Sequence, residues 1–502
     1  MNYQPDLETI RKLAAQGDNN LAPVFRDIPA DLETPVSAFL KVARGDHSFL
    51  LESVEGGERL ARYSFIGTEP YRILRSGPFA DASQGSDPLR EIEAELSRYK
   101  LSHPKDTQAS TLPRFTGGAV GFLAYEAIRH FEPRVPINTP DPQGLPEALF
   151  MFVDALLVFD HLKHVIKVVA HCRLDGDVEA SYRQACWKIE EMAKRLKQTL
   201  PASPYLINPA PHEPVAVASN TRKDVFLAAV ERCKEHIVAG DIYQVQYSQR
   251  FGKPTQAHPF SVYRALRTVN PSPYMYYLAM GDSYIIGASP EMLVRVEDGL
   301  VETHPIAGTR RRGRDADDER RMEEELSNDE KERAEHIMLV DLARNDIGRI
   351  AQPGTVKVTE LMAIEKYSHV MHLVSHVVGR LKPELTSYDA LRANFPAGTV
   401  TGAPKIRAME IIADMESERR GPYAGTVGYF DFSGNLDSAI TIRTIVMKDG
   451  VAYTQAAGGV VYDSVPELEH LESGNKASAC LRAIDEAEAL EEGLVTTGSQ
   501  GY

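Results

Sequence analysis

The sequence predicts a large mixed α/β protein, and three observations support that fold class. The chain has 502 residues, of which 43% are hydrophobic and 25% charged, which is ordinary for a globular enzyme. Helical periodicity alternates with strand patterns along most of the chain. Turns of the Gly-Gly, Ser-Gly and Asp-Gly kind join neighbouring strands, which indicates antiparallel pairing. The length allows two domains or one oversized α/β domain.

The N-terminal part shows this alternation of helix and strand. Residues 5–16 have the periodicity of a short amphipathic helix, and residues 47–68 read as two strands joined by a Gly-Gly turn. The stretch 115–123 lacks both G-x-G-x-x-G and a P-loop lysine, so close packing of strands is favoured over a nucleotide loop. Two strands across a DHLKH turn and an amphipathic helix over 177–199 follow.

A proline-rich connector divides the chain into regions. Residues 201–219 separate an N-terminal region, 1–200, from a C-terminal region, 220–490, and residues 491–502 read as a tail. The charge-dense stretch DADDERRMEEELSNDEKERAEH is expected to be a solvated loop and the start of a helix. Residues 424–459 are predicted to form a three-stranded antiparallel meander.

Charge and cysteine content narrow the function classes. Lys and Arg number 56 against 71 Asp and Glu, and the net charge of -15 argues against nucleic acid or an anionic membrane as the main partner. The four cysteines have no C-x-x-C spacing, so neither a zinc site nor a disulfide framework is expected, and a reducing cytoplasm fits. We expect no secretion signal and no membrane span. No nucleophile motif indicates a glutamine amidotransferase centre in this chain.

Two predicted helices carry acidic pairs at the same spacing. In DSVPELEHLESGNK, residues 464–467 are predicted to form a capping box, which leaves Glu469 and Glu472 on one helix face. Glu332 and Glu335 repeat the spacing on another helix. One such pair is ordinarily a solvated face. Two pairs beside a glycine-bearing turn would hold a hard cation such as Mg2+, which bridges to an anionic substrate.

Several single residues have two interpretations each. Arg443 lies in an apolar strand, where it would pair with a substrate carboxylate or with an internal acid. His372 is a candidate acid or base, or a satisfied core histidine. Glu291 is an acid or a surface carboxylate at a strand end, and Tyr423 donates to a carboxylate or packs. Thr399 lies near a helix N-terminus, which favours either an anion or a simple N-cap.

Taken in order, several stretches resemble one family. They are PIAGTR, AEHIMLVDLARND, MHLVS, FPAGTVTGAPK, RGPYAGTVGY, TIRT and the final acidic helix. Together they resemble the chorismate-utilising enzymes, and within them the component I branch of the anthranilate synthases. The resemblance implies a large layered α/β fold of two packed antiparallel sheets with helices outside. It also implies a cleft in the C-terminal region that binds chorismate and Mg2+.

The resemblance implies roles for particular residues. It assigns the Mg2+ ligands to Glu335 and Glu472, supported by Glu332 and Glu469. It assigns chorismate binding to Gly308, Thr309, Tyr423, Arg443, Ala457, Gly458, Gly459 and Lys476. It assigns catalysis to Glu291, His372, Gln244 and Thr399, and a tryptophan-binding regulatory site to Glu52, Ser53, Pro273, Tyr274 and Met275. The family usually has Gly-Ala-Gly at 457–459, so Ala457 is expected to fit only with a negative φ.

Two positions indicate which reaction the resemblance implies. Relatives that add water carry a lysine where this chain has Gln244, and an amide is no base for water, whereas ammonia is already nucleophilic. Relatives that aminate the para position carry a lysine in place of Ala307, which cannot form their covalent intermediate. Gln244 and Ala307 together therefore point to amination at the ortho position. Glu291 would protonate the departing C4 hydroxyl, ammonia would enter at C2, and His372 would carry the proton whose loss expels pyruvate.

The resemblance also implies partners and leaves alternatives. It implies the large subunit of an anthranilate synthase, the first committed step of tryptophan biosynthesis, in a hetero-oligomer with two glutamine amidotransferase subunits and two of these chains. Tryptophan would inhibit by binding the inactive state. The nearest alternative is component I of an aminodeoxychorismate or 2-amino-2-deoxyisochorismate synthase. The alternative from another class is a catalytically silent sensor of tryptophan or chorismate.

Overall fold

Two antiparallel sheets form the body of the protein. The computed structural model describes residues 3–53, 62–77, 87–102, 112–200, 216–367 and 370–491. The predicted turn at Gly56-Gly57, most of the connector and nearly all of the tail lie outside these residues. No helix of the described ranges is long and apolar enough to cross a membrane.

Of the 22 strands in the described residues, 16 pair with neighbours on both sides and six pair with one neighbour only. The strands are β1 (Leu21–Pro29), β2 (His47–Glu52), β3 (Tyr63–Thr68), β4 (Arg72–Ser76), β5 (Gly118–Leu123), β6 (Ala148–Val153), β7 (Ala155–Asp160), β8 (Val165–Arg173), β9 (Ala218–Ser219), β10 (Gln244–Pro254), β11 (Tyr274–Met280), β12 (Ser283–Ser289), β13 (Met292–Glu297), β14 (Leu300–Thr303), β15 (Ile306–Arg311), β16 (Lys357–Lys366), β17 (Val370–Arg380), β18 (Gly402–Ala403), β19 (Thr426–Asp431), β20 (Leu436–Ile440), β21 (Thr444–Lys448) and β22 (Val451–Val460).

The α-helices lie between these strands in the chain. They are α1 (Leu7–Gln16), α2 (Pro35–Val42), α3 (Pro88–Leu96), α4 (Val178–Leu196), α5 (Lys223–Val238), α6 (Pro259–Val269), α7 (Ala316–Asn328), α8 (Glu330–Ile350), α9 (Ser387–Asn394), α10 (Lys405–Met415) and α11 (Pro466–Glu491). Tyr125–His130 and Gly398–Val400 form short 3-10 turns.

The two sheets draw strands from both halves of the chain. The first sheet has the order β1-β8-β7-β3-β2-β11-β12-β21-β22-β10-β18, with β9 also paired to β10. The second has the order β15-β17-β14-β13-β20-β19-β5-β6-β4, with β16 also paired to β17. The connector therefore does not separate one sheet from the other.

Apolar side chains fill three layers. One cluster lies between the inner faces of the sheets and includes Phe49, Phe122 and Leu278. A second joins the outer face of the first sheet to α1, α2, α4, α6 and α11, and a third joins the second sheet to α3, α8 and α9. The expected layered α/β fold, with two packed antiparallel sheets and helices outside, is confirmed. Close strand packing at 115–123 is also confirmed, because a Cβ on Gly121 would lie 1.9 Å from the Leu149 carbonyl oxygen.

Four short connections carry the chain from one sheet to the other, the first of them from β3 to β4 across residues 69–71. β6 leads to β7 across Asp154, β12 leads to β13 across Pro290 and Glu291, and β20 leads to β21 across residues 441–443. The predicted three-stranded meander is therefore wrong in one respect, because its middle strand is broken and each half joins a different sheet. The strand predicted before the DHLKH turn is broken in the same way. These crossings place backbone and side chains in the space between the sheets.

One surface segment also differs from the prediction. The charge-dense stretch is not a loop, because residues 316–328 form α7 and α8 begins two residues later. Its acids stabilise the start of the helix: Asp315 accepts hydrogen bonds from the backbone N–H groups of Asp317 and Asp318. Met322 and Leu326 give this helix a buried edge against the second sheet. Charge density alone therefore did not distinguish a loop from a capped helix.

Candidate active site

A cavity of about 220 Å3 opens between the sheets beside two of the crossings. Many of the residues singled out from the sequence line it, although they come from distant segments. These are Gln244, Glu291, Gly308, Thr309, Glu335, His372, Thr399, Tyr423, Arg443, Ala457 and Lys476. Ala307 lines it as well. The fold therefore brings together most of the predicted catalytic and chorismate-binding positions.

Glu291 holds a carboxyl group in an apolar wall of the cavity. It lies at the crossing from β12 to β13 and is 8% exposed. Burial raises the pKa of this carboxyl to about 8, because a charged form would lose its hydration. The Thr399 hydroxyl lies near enough to oppose this shift but forms no hydrogen bond within the described residues. At neutral pH Glu291 therefore keeps a proton that it can donate.

His372 is oriented by a bulge in the neighbouring strand. The register between β15 and β17 shifts at Gly308, whose φ of 65° is one that glycine adopts without strain. The Gly308 carbonyl oxygen lies 2.8 Å from His372 Nδ1, and the Thr309 hydroxyl oxygen lies 3.1 Å from it. A carbonyl only accepts, so Nδ1 carries the proton. Burial lowers the pKa of His372, which leaves Nε2 as a neutral base.

Arg443 faces the cavity from the other crossing. Its backbone has a φ of 51°, which ends the strand rather than continuing it. Nη1 donates to the Lys476 carbonyl oxygen, and burial lowers the pKa of the guanidinium. Within the described part of the chain it forms no ion pair with a carboxylate. The internal salt bridge considered from the sequence is therefore not found there, and the cation remains available to a ligand.

Gln244 and Lys476 each link the cavity to a carboxylate. Gln244 Nε2 donates to Glu335 Oε1 at 3.0 Å, while its buried Oε1 has no hydrogen-bond partner among the described residues. Lys476 Nζ lies 2.6 Å from Glu472 Oε1 and 3.1 Å from the Ala457 carbonyl oxygen. Burial raises the pKa of Tyr423 to about 12, so its hydroxyl remains a donor at neutral pH.

The glycine-bearing segment 457–459 is strand and not the predicted turn. Ala457 pairs with Ser248 inside β22 and has no positive φ, so its methyl group is tolerated. Gly458 and Gly459 make room for side chains behind the cavity wall. A Cβ on Gly458 would lie 2.7 Å from Glu469 Oε2, and one on Gly459 would lie 3.0 Å from Gln246 Nε2. The turn itself follows Val460.

The start of α11 also differs from the predicted capping box. Leu468 and Glu469 donate to the carbonyl oxygen of Val465, which places the cap one residue later than Ser464. The Ser464 hydroxyl instead accepts from the Val461 N–H at 3.0 Å and donates to Glu469 Oε1 at 2.7 Å. Ser464 therefore positions one of the predicted metal-supporting acids.

The four acids differ in how well their charge is compensated. Burial and the charge of Glu335 raise the pKa of Glu332, which Arg310 opposes from 3.4 Å. Burial also raises the pKa of Glu469, with a further contribution from Glu472, and Glu469 Oε2 is buried without a partner in the described ranges. Each pair therefore holds negative charge that an added cation would stabilise.

Hard oxygen donors of this kind suit Mg2+. In the residues that the structure describes, no three His, Cys, Asp or Glu side chains already form a metal cluster. Mg2+ often needs only one or two carboxylates, because it keeps several waters and takes further oxygens from its substrate. The two acidic pairs, whose charges are only partly compensated, and the Glu469 Oε2 atom, which has no partner among the described residues, fit an ion of that type.

Two glutamines and one arginine of this region were not predicted from the sequence. Gln246 and Gln455 also line the cavity, and Gln455 Nε2 donates to the Ser248 hydroxyl at 2.8 Å. Arg420 is fully buried and donates to Glu416 and to two backbone carbonyls, one of them that of Gln246. The signal was present, because amides that recur in an apolar strand need polar partners.

The predicted regulatory residues meet at the ends of two paired strands. Glu52 on β2 lies opposite Met275 on β11, and Ser53, Pro273 and Tyr274 adjoin them. Glu52 accepts hydrogen bonds from Tyr263 and, at 3.1 Å, from Arg267 Nε.

Comparisons with known proteins identify relatives over almost the whole chain. The family model described as chorismate binding enzyme matches residues 46–482. An anthranilate synthase component 1 from Acetivibrio thermocellus is 49% identical over 97% of this chain and 99% of its own length. A probable anthranilate synthase component 1 from Schizosaccharomyces pombe is 45% identical over 98% of both chains. The crystal structure of anthranilate synthase component I from Streptococcus pneumoniae matches with a TM-score of 0.73 and 37% identity, over 90% of this chain and 98% of that one.

Proposed function

The chain belongs to the chorismate-binding enzyme family, and we propose that it is the large subunit of an anthranilate synthase, which converts chorismate and ammonia to anthranilate and pyruvate. The observation that carries this proposal is that one cavity unites a protonated carboxyl, a neutral histidine and an arginine that has no carboxylate partner among the described residues. These three groups suit an acid step, a base step and a carboxylate anchor.

The first step needs a nucleophile at C2 and an acid at C4, because the new bond at C2 expels the C4 oxygen through a shift of the two ring double bonds between these positions. Arg443 binds a substrate carboxylate, and Glu291 donates its proton to the departing C4 hydroxyl, which leaves as water. Ammonia forms the new bond at C2. The buried Gln244 Oε1, which has no partner within the described residues, can accept a hydrogen bond from the incoming ammonia. The Ala307 methyl group offers no nucleophile for a competing covalent intermediate.

The second step needs a base. The neutral His372 Nε2 takes the proton from C2, the C3–O bond to the enolpyruvyl side chain breaks, and the ring becomes aromatic; the enolate that leaves takes up one proton to give pyruvate. Gly308 and Thr309 hold Nδ1 and so fix the ring orientation. Tyr423 and Lys476 complete the polar wall of the cavity.

We propose that Glu335 and Glu472 hold Mg2+, with Glu332 and Glu469 in support. When bound, the ion supplies positive charge that neutralises the substrate carboxylate. Support comes from the mutual repulsion within each acidic pair, which helps to raise the pKa values of Glu332 and Glu469 and which a cation would relieve. Lys476 would then neutralise part of the charge on Glu472 when the ion is absent.

We also propose that ammonia comes from a glutamine amidotransferase subunit, two of each subunit forming the enzyme, and that tryptophan inhibits at Glu52, Ser53 and residues 273–275. The component numbering of the relatives supports a partner. We propose a cytoplasmic location, since all four cysteines are free thiols. Neither nucleic acid nor a membrane is proposed as a partner, given the net charge of -15.

The direct test is an assay with chorismate, Mg2+ and an ammonium salt, which needs no partner subunit. We expect fluorescent anthranilate and pyruvate in equal amounts. Glu472→Gln should lower Mg2+-dependent turnover by at least roughly 100-fold, because one ligand charge is lost. The matched control is Glu467→Gln in the first turn of the same helix, which should behave like the wild type. An aminodeoxychorismate product would indicate the alternative synthase, and no turnover would favour the sensor.

A further inference from the structure

Behind Glu291 lies a second and smaller cavity of about 40 Å3. It shares Glu291, Leu339 and Thr399 with the main cavity, so the Glu291 carboxyl stands between the two. We name it the rear cavity; its far wall is formed by Thr303, Leu342, Ala343, Asp346, Asn394 and Ala397. A space of this size accommodates at least one water molecule, which needs roughly 10–15 Å3 on the same scale.

Polar groups line the rear cavity at both ends. At the near end, the buried Thr399 hydroxyl oxygen has no hydrogen-bond partner in the described chain. At the far end, Asp346 Oδ2 lies 2.6 Å from Lys405 Nζ, and Lys405 also donates to the Asn394 carbonyl oxygen at 3.2 Å. The Asp346 side chain remains 11% exposed, so the far end reaches solvent.

Each turnover requires that the Glu291 carboxyl be reprotonated. Glu291 gives up one proton each time the C4 oxygen leaves, and it must regain one before the next cycle. A ring substrate in the main cavity covers the front of the carboxyl. Because the side chain is almost fully buried, the rear cavity is the remaining polar approach among the described residues.

We infer that the rear cavity is a proton-return path, in which Asp346 passes protons from solvent through a bound water to Glu291. This inference rests on the proposed function of Glu291 as the acid. One proton enters at Asp346, one moves from Asp346 to the water as the water gives one to Glu291, and no electrons are transferred. Asp346 is thus a positioning and relay residue and does not touch the substrate.

The charges around both carboxyls suit such a relay. Burial raises the pKa of Asp346 while Lys405 opposes the rise, so burial favours the protonated form that a relay needs. Lys405 and Arg349 are the cations that act on Asp346. The titratable side chains that share the main cavity with Glu291 are Glu335, His372, Tyr423, Arg443 and Lys476.

The test compares the first turnover with the steady state in the ammonium assay at pH 7. In Asp346→Asn the amide keeps its size but cannot carry an acidic proton. We expect the first turnover to stay within about twofold of the wild type, because Glu291 starts protonated. We expect kcat and KM for chorismate to fall together by about tenfold, with kcat/KM unchanged and a larger solvent deuterium effect on kcat than on kcat/KM.

A second variant tests the rear cavity in case Asp346→Asn disturbs the fold around Lys405. Ala343→Val adds two methyl groups to the wall of the rear cavity, leaves the Asp346–Lys405 pair intact, and should also lower kcat without lowering kcat/KM. The matched control is Asp341→Asn, an exposed position on the same helix, α8, which should match the wild type. Unchanged kcat in both test variants would overturn the inference.

A purely structural role for Asp346 predicts a different result. It would lower the first-turnover rate and kcat/KM along with kcat, and that outcome would also overturn the inference. A wild-type chain that makes no anthranilate from ammonium in any arm would instead overturn the proposed function on which the inference rests. The two failures are therefore distinguishable.

Discussion

The polar groups in the cavity around Glu291 and those at the strand ends around Glu52 differ in whether they have partners inside the protein. At the strand ends, Glu52 is 5% exposed and its carboxylate is already held by Tyr263 and Arg267. In the cavity, Arg443 forms no ion pair and Gln244 Oε1 has no hydrogen-bond partner within the described residues, and Glu469 Oε2 behind the cavity wall has none there either. One region is internally satisfied, and the other is not.

This difference supports the two kinds of ligand binding proposed for the two regions. Groups that lack internal partners are preorganised for a charged ligand, which then replaces water without rearranging the protein. A ligand that binds at Glu52 must instead share or displace Arg267, so its binding is coupled to a change in the protein. Such coupling is what a regulatory site requires, because an inhibitor acts only by preferring one conformation.

The largest expected effect is that of Glu291→Gln, which removes the acid but keeps the shape of the cavity. We expect turnover to fall by about 10²- to 10⁴-fold, the usual contribution of a positioned acid. In the wild type, kcat should fall as the pH rises through about 8, where this carboxyl loses its proton. Steady-state rates between pH 6 and 9.5 measure both effects.

The same substitution should stabilise the fold. The pKa of Glu291 is raised from 4.5 to about 8, so folding takes up a proton between these values and the wild type loses stability as the pH rises from 4.5 to 8. The variant avoids this cost and should gain up to about 3 kcal/mol at pH 7, with no gain near pH 4. Denaturant unfolding at both pH values tests the sign. As a control, Glu297→Gln at the far end of β13 should change neither property, and equal stability at pH 7 would contradict the buried acid.

The next effect in size concerns the unpaired cation. Arg443→Met should raise the KM for chorismate by about 100-fold, because truncating one partner of a buried charge pair costs roughly 2–5 kcal/mol. The Lys476 carbonyl also loses its donor. Initial rates over a range of chorismate concentrations measure the effect. Arg482→Met, on the exposed face of α11, is the matched control. An unchanged KM would mean that the carboxylate binds elsewhere.

The sequence predicted individual elements better than their assembly. Helices such as α1 and α4 and strands such as β2 and β3 follow from periodicity. The crossings at Asp154 and at residues 441–443 were not predicted, because LFMFVDALLVFD and AITIRTIVM read as continuous apolar strands and contain no Gly or Pro. In the structure Asp154 and residues 441–443 turn the chain towards the other sheet. A strand with two buried faces has the same composition on both sides of such a break.

In the candidate active site, too, the sequence predicted which residues take part better than it predicted their hydrogen bonds. The spacing of Glu469 and Glu472 placed both acids on one helix face, and the motifs indicated which residues share a site. The local capping rule assigned Ser464 to the helix start, but the buried Glu469 competes for its hydroxyl and prevails. Which oxygens lack partners depends on side chains brought together from distant segments, so it is not visible in local patterns.

The smallest expected effect is that of Glu52→Gln, and it is the most direct test of whether the two regions act as separate sites. Glu52→Gln keeps the size of the side chain and an oxygen that can accept from Tyr263, but it removes the negative charge that would pair with the ammonium group of tryptophan. We expect the tryptophan concentration for half-inhibition to rise about tenfold, since loss of one charge-assisted contact costs roughly 1–2 kcal/mol. Without tryptophan, kcat and the KM for chorismate should stay within about twofold of the wild type.

Tryptophan titrations of the ammonium-dependent activity measure this effect, and Glu69→Gln, an exposed acid of the N-terminal region, is the control. Unchanged inhibition in Glu52→Gln would place tryptophan elsewhere. A raised KM for chorismate would mean that Glu52 supports the cavity directly, and the two regions would then be one coupled site. Weaker inhibition with unchanged KM is the result that keeps them distinct, because only a separate site can lose its ligand without disturbing the other.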